Sequence, residues 1–238
     1  MTFSTNVRSA FRRGDTAAVV RMSEVEIERA SAAGDLANEV EARYALARVA
    51  IRGGDLAGGE ARAREALAVA VRSGDRALEE RPRHVLAAVA RMSGDLDRAR
   101  GLYRESVALN EELGRPETVN SELHNLAFCE LLLGHLDVAR EMFAAGRERV
   151  FRNGWADFVP YVCVAGAALA SAEGDHARAA LMAGVTAAAF AAIGQVPDPD
   201  DAADLARVRA AAVEVLGRAG FDAEYERGTL LDPRAAFA

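Results

Sequence analysis

The sequence predicts an all-α solenoid of antiparallel helix pairs, about eleven helices in all, and three observations carry that reading. Glycine stands at 14, 34, 54, 74, 94, 114, 134, 154, 174 and 194, ten successive positions spaced by 20. Asp follows six of them, as Asp15, Asp35, Asp55, Asp75, Asp95 and Asp175. Alanine is the commonest residue in a chain that is 51% hydrophobic and only 6% aromatic. With 20 glycines in 238 residues, chance would put roughly one glycine on those ten marks, so the period belongs to the fold.

Each observation has a physical cause. Glycine adopts the left-handed conformation that closes a helix, without the Cβ penalty other residues meet there. An Asp directly after it can accept from the first N–H groups of the next helix. About 16 residues between marks make a rod of roughly 24 Å, and short turns fold consecutive rods back on one another. Alanine has the best helix propensity, and its small side chain lets rods approach closely.

Alternate segments differ, so the unit is a pair of helices, A and B, of about 40 residues. Three B segments open alike, at Gly54-Asp55-Leu56, Gly94-Asp95-Leu96 and Gly134-His135-Leu136. Small residues recur in B at Gly59, Ala99, Ala139 and Ala179, and in A at Ala47, Ala87, Ala127 and Ala167. Tyr103 and Phe143 follow at +4 in two of the B helices. This divides the chain into repeats at about 1–33, 34–73, 74–113, 114–153 and 154–193, with capping helices over 194–238, all in one solenoid. The loop Gln195-Val196-Pro197-Asp198-Pro199 delays the last long helix to about 200–217, and the first A helix, about 4–12, is short and polar. Terminal repeats of solenoids carry such atypical caps.

Leu126, Ala127, Gly134, Leu136, Ala139 and Phe143 stand in the order and spacing of the tetratricopeptide consensus. The chain resembles that repeat from about residue 4 to 218, with 40-residue repeats in place of the commoner 34. Repeats of this length resemble the C-terminal regions of large actinobacterial regulators of the AfsR and LuxR-like ATPase types. The ending, Leu216-Gly217-Arg218-Ala219-Gly220-Phe221 with Tyr225, Gly228 and Leu230, is similar to their closing segment. The resemblance implies a right-handed superhelix whose A helices line a concave face. It does not carry regulator function over by itself, since neither a DNA-binding nor a nucleotide-binding domain is recognised in the sequence.

Composition excludes several function classes. All 29 basic residues are Arg, so lysine chemistry and a P-loop lysine are ruled out. Net charge is −7, with residues 1–113 neutral (18 Arg, 18 acids) and residues 114–238 at −7 (11 Arg, 18 acids). An acidic chain without an Arg stripe is poorly suited to neutralising phosphates, so direct nucleic-acid binding is not expected. Arg8, Arg12 and Arg13 precede no apolar run, so no signal peptide is expected. The longest apolar stretch, 161–172, is too short for a bilayer, and a cytoplasmic protein is the expectation. Cys129 and Cys163 lie in apolar helical stretches and read as buried free thiols.

No catalytic motif is recognised: G-x-S-x-G, H-E-x-x-H, C-x-x-C and a strand-borne G-x-G-x-x-G are all missing. No enzyme, cofactor or metal is expected. In the tetratricopeptide register the resemblance implies inward positions at Glu41, Tyr44, Arg48 and Arg52, then Arg81, His84 and Arg91, then Ser121, His124 and Phe128, and finally Tyr161. These place Arg and aromatic groups in the second and third repeats and apolar groups in the fourth and fifth. His84 and His124 are one repeat apart, with Glu41 the nearest acid in that frame, while His135 and His176 read as surface residues. Trp155, Phe158 and Tyr161 read as core around the fifth A helix, which Asp157 can cap and whose first turn takes Pro160. Phe221 and Tyr225 are placed over the apolar end.

Arg donates bidentately to carboxylates, so a protein or peptide ligand with acidic groups suits the Arg-bearing portion. The competing reading leaves those arginines solvated or paired with Glu41 and Glu79 along the helices. A tetratricopeptide clamp for chaperone tails needs Lys and Asn, and here only Asn125 is present. Three functions follow in order: an interaction module for a peptide or protein segment, a small-molecule or signal-peptide sensor of a regulatory system, and an assembly factor or enzyme of a biosynthetic pathway. The sensor reading places a pocket around His84, His124, Phe128 and Tyr161. Ala- and Leu-rich faces also leave homodimerisation open.

Overall fold

The computed structural model describes residues 2–237. Among them the chain is helical throughout and contains no strand. The helices are α1 (Phe3–Arg12), α2 (Thr16–Ala33), α3 (Leu36–Arg52), α4 (Leu56–Ser73), α5 (Glu80–Met92) and α6 (Leu96–Glu112). They continue with α7 (Pro116–Leu132), α8 (Leu136–Asn153), α9 (Val159–Ala172), α10 (His176–Ala192) and α11 (Pro199–Thr229). Consecutive helices pack as pairs, α3 on α4, α5 on α6 and α9 on α10, which is the all-α solenoid arrangement. Two compact units are present, Met1–Glu122 and Leu123–Ala238, and α7 gives residues 116–122 to the first and 123–132 to the second.

All ten period-20 glycines sit at helix ends with positive φ. Their values alternate. Turns from A to B, at Gly14, Gly54, Gly94, Gly134 and Gly174, have φ of 79, 84, 80, 82 and 82°. Turns from B to A, at Gly34, Gly74, Gly114, Gly154 and Gly194, have φ of 66, 72, 64, 69 and 64°. The two-helix repeat is thus written into the backbone as two turn geometries. In nearly every turn the residue after glycine donates its N–H to the carbonyl five residues back, as Asp55 does to Ala50 (2.9 Å) and Arg115 to Asn110 (3.0 Å). This satisfies an orphaned carbonyl of the closing helix. The Gly74 turn differs: Asp75 N–H donates to Ser73 Oγ (3.1 Å), which itself donates to the Ala70 carbonyl (2.6 Å). One hydroxyl stands in for the missing backbone bond.

The six Asp residues cap the helical segments that follow. Asp15, Asp35, Asp55, Asp95 and Asp175 each accept from the N–H three residues on, and Asp75 from that of Ala77. Such a cap stabilises by about 1 kcal/mol. Asp75 opens a 3₁₀ turn, 76–78, before α5, and a second such turn, 156–158, precedes α9. The second turn corrects the expected cap: α9 begins at Val159 with Phe158 in the N-cap position, and Asp157 lies within the preceding turn. Pro160 is in the first turn of α9, where a helix needs no N–H.

The small-residue registers are where the helices touch. Ala47, Ala87, Ala127 and Ala167 in the A helices and Ala99, Ala139 and Ala179 in the B helices are all 0% exposed. Gly59 replaces the B alanine where a Cβ would stand 2.6 Å from Ile51 Cγ1. In the first unit, one core gathers Val7, Phe11 and Val19 from α1 and α2, and a second gathers Ile51, Val85 and Val89 from α3 and α5. In the second unit the core holds Phe128, Phe143, Val164, Met182 and Val208. Burying each such side chain stabilises by roughly 1.5–3 kcal/mol.

Helix α11 breaks at Gly217 (φ 70°, ψ 165°), and its second half folds onto α10. There the backbones touch, since a Cβ on Gly184 would lie 2.0 Å from the Tyr225 carbonyl oxygen and one on Gly228 would lie 1.9 Å from that of Leu181. Phe221, 2% exposed, stacks on Tyr225 with ring centroids 5.6 Å apart, against Ala180 and Ala212. No helix among the described residues is long and apolar enough to cross a membrane.

Two alanine substitutions separate conformation from packing. A Cβ at Gly94 meets nothing within 4 Å, so Gly94→Ala carries only the left-handed penalty, about 1–2 kcal/mol. Gly184→Ala drives a methyl into backbone and is expected to cost about 3 kcal/mol or more. Urea unfolding of both variants checks the order.

Candidate functional site

In the first unit α3, α5 and the start of α7 present the residues expected to line a binding face. Glu41 is the hub. Its carboxylate, 8% exposed, accepts from Ser4 Oγ (3.1 Å), from Arg8 Nε (3.2 Å) and from Arg81. Glu41 and Arg81 occupy one register position in successive A helices, so the stacking of repeats sets them face to face. The alternative in which arginines pair with Glu41 and Glu79 is met in both acids: Glu41 takes Arg81 from the next A helix, and Glu79 holds Arg83 one turn along its own helix (2.7 Å).

A row of stacked rings and guanidinium groups adjoins this hub. The guanidinium carbons of Arg48 and Arg52 each lie 3.7 Å from the Phe11 ring centroid, and Arg52 donates to the Phe11 carbonyl (2.7 Å). Arg48 and Arg81 each lie 5.6 Å from the Tyr44 ring. The order along the row is Arg52, Phe11, Arg48, Tyr44, Arg81. Burial pushes the Tyr44 phenol above its ordinary value, against the opposing influence of Arg48 and Arg81. Arg48, Arg52 and Arg81 are half-buried, so the planes are held in place while part of each reaches the surface. Phe11 was absent from the sequence-based face, although its place in a short first helix made it a candidate to cover α3.

His84 lies beside the row and does not take Glu41 as its acid. Its Nδ1 lies 2.8 Å from Oε1 of Glu122, a residue 1% exposed at the start of α7, and its ring meets Tyr103 edge-on at 6.3 Å. Glu80, also largely buried, faces Arg115 (3.8 Å) and Arg81 (3.9 Å). Desolvation raises its carboxyl, the Glu122 charge adds to this, and His84, Arg81 and Arg115 oppose it. The sequence reading missed Glu80, Glu122 and Arg115. Their signal was spacing by one repeat, 38 residues from His84 to Glu122. Arg91, expected at the face, is 4% exposed and belongs to the interior, while Ser121 is half-buried.

The second unit departs further from the expected face. Phe128 is 0% exposed and packs on Phe143 at 5.0 Å. His124, 8% exposed, is ringed by Phe128 (5.2 Å), Phe143 (5.6 Å) and Phe158 (5.2 Å), all edge-on. Both are core residues, because the alanine register draws the helices close enough to close over neighbouring positions. Tyr161 packs between Phe158 and Phe190, each at 5.3 Å, and donates to the Asp198 carboxylate (3.4 Å). His135 is exposed but pairs with the buried Glu130 (2.7 Å), and His176 is half-buried.

Other chemistry is quiet. Cys129 and Cys163 are buried free thiols, and desolvation pushes the Cys163 thiol up to about 12. Among the described residues no group of three His, Cys, Asp or Glu is placed to hold a metal ion.

No family model matches the chain, and no curated protein matches it. A solved structure does: BtubC (BKLC) from P. vanneervenii superposes with a TM-score of 0.56 over 95% of this chain and 91% of that chain, at 23% identity. The likeness is one of fold. The chain shares an all-helical architecture with that protein over nearly its whole length.

Two measurements follow. Because the folded state raises the Glu80 carboxyl, the native protein holds that proton more tightly than the unfolded chain. The contribution of Glu80 to stability is therefore most favourable below the ordinary carboxylate range and declines as pH climbs through the raised value. Glu80→Gln is expected to melt higher than wild type at pH 7, with the difference shrinking by pH 4, as read by thermal melts across pH. A thiol reagent such as DTNB should label neither cysteine faster than the protein opens, so labelling and hydrogen-exchange rates of α7 and α9 should agree.

Proposed function

We propose that this chain is an interaction module of the tetratricopeptide type, which receives a peptide or protein segment on the face carried by α3 and α5. The observation that supports it most is the row Arg52, Phe11, Arg48, Tyr44, Arg81. Arg and aromatic side chains dominate the energetics of protein interfaces. Stacking already restricts these rotamers, so less entropy remains to be lost on binding. A segment with acidic side chains is the complementary partner, because the planar guanidinium matches carboxylate geometry. Glu41 already answers part of the Arg81 charge within the fold, and Arg48 and Arg52 present half-buried guanidinium planes beside it.

The likeness to BtubC supports the helical-repeat scaffold. The tetratricopeptide register and the closing segment around Leu216–Gly220 support a regulatory setting like that of the AfsR and LuxR-type proteins. The reading includes neither catalysis nor nucleic-acid binding.

A random-peptide display selection on wild type tests the proposal. Peptides rich in Asp and Glu should be enriched, and the triple variant Arg48→Ala, Arg52→Ala, His84→Ala should bind them about tenfold or more weaker while keeping its helical circular dichroism. Selection of no acidic peptides, or of peptides that bind the folded variant equally well, would remove the proposal.

A further inference from the structure

The second unit contains a cavity of about 510 Å³ between α10 and α11, within the range of about 300–1,000 Å³ typical of small-molecule sites. Its origin is compositional. Ala183, Ala187 and Ala191 stand one turn apart on α10, and Ala202 and Ala206 answer them from α11. Methyl groups occupy places where packed helices ordinarily carry larger side chains, and the missing volume remains as open space. The break at Gly217 returns the chain so that Phe221 closes one side, while Phe190 closes another; they are 2% and 3% exposed. Pro197, in the loop that delays α11, fixes the lip.

The polar groups of this cavity are few and unequal. Thr186 already donates its hydroxyl to the Met182 carbonyl (2.8 Å). Arg209 is the one charged residue of the lining. It is exposed, its guanidinium carbon lies 5.2 Å from the Phe221 ring centroid, and it forms no ion pair among the described residues. Asp204, on the same helix, pairs with Arg207 instead. A guanidinium held over an aromatic face at the mouth of an apolar space has an obvious complement. The body of the ligand must be hydrocarbon, and its head must be an anion of carboxylate geometry.

We propose that the cavity between α10 and α11 binds a small amphipathic carboxylate, with its chain among Ala187, Phe190 and Ala206 and its head group on Arg209. The site is independent of the α3 and α5 face, since it is built wholly within the second unit, and each can fail without the other.

Isothermal titration of the full chain with decanoate, below its micelle concentration, provides the test, with decyltrimethylammonium as the oppositely charged twin. Decanoate is expected to bind one to one, about tenfold or more tighter than the cation. Arg209→Gln, a change at an exposed position, should erase that preference with an unchanged melting temperature. Ala187→Leu together with Ala206→Leu should fill the space and abolish decanoate binding; if that pair fails to fold, Arg209→Gln alone decides. Absence of decanoate binding, equal affinity for the two amphiphiles, a preference surviving Arg209→Gln, or undiminished binding in the folded double leucine variant would each overturn the proposal.

Discussion

The fold depends on a residue that can take positive φ at each of the ten turns between helices. The backbone reverses direction at intervals of 20 residues, and each reversal places a left-handed glycine whose neighbour, except at Gly74, donates back into the helix just finished. Glycine meets the first requirement and the Asp-led segments exploit the second, capping the next helix with the same residue that seals the last. Between reversals the helices are free to be rich in alanine, because their ends are fixed by the turns and their sides by alanine-on-alanine contact. The alternation of φ between about 80° and about 67° shows that the reversals are two joints, one within each helix pair and one between pairs.

Close contact at the alanine registers then governs where polar groups can go. In the first unit the stacking of A helices brings Glu41 to Arg81 and His84 to Glu122, so carboxylates that would be costly alone are buried with partners. Glu80 is the exception, since its Arg neighbours stand at 3.8 and 3.9 Å and leave desolvation dominant. In the second unit the same closeness is spent on rings: His124 lies among three phenylalanines.

The turns and helices were legible in the sequence because their determinants are local. Gly94 and Asp95 dictate their own geometry whatever surrounds them. The start of the last helix was legible from Pro197 and Pro199, while its continuation past the break at Gly217 to Thr229 was not. The binding face was legible only in part. Register alone cannot tell a lining position from a core position, because burial depends on how near the adjacent helix comes. Arg48 and Arg52 reach the surface, while Arg91, at an equally inward position, is enclosed, and Phe128 is sealed under its neighbours. The partners of Glu41 and His84 sit about one repeat away, a spacing visible only once repeats are laid side by side. The cavity beside α11 was illegible, because it arises from volume that alanines leave out.

The two kinds of joint also constrain how such a chain can change length. Removing a block of 20 residues would keep every glycine in phase, yet it would hand each A segment the joint meant for a B segment. Arg81 would no longer follow Glu41 at the matching position, and Tyr103 would fall at the A-helix position that Arg43, Arg83 and Leu123 hold. Only the addition or removal of whole helix pairs keeps both kinds of joint in their places, so a ruler marked in twenties is read in forties.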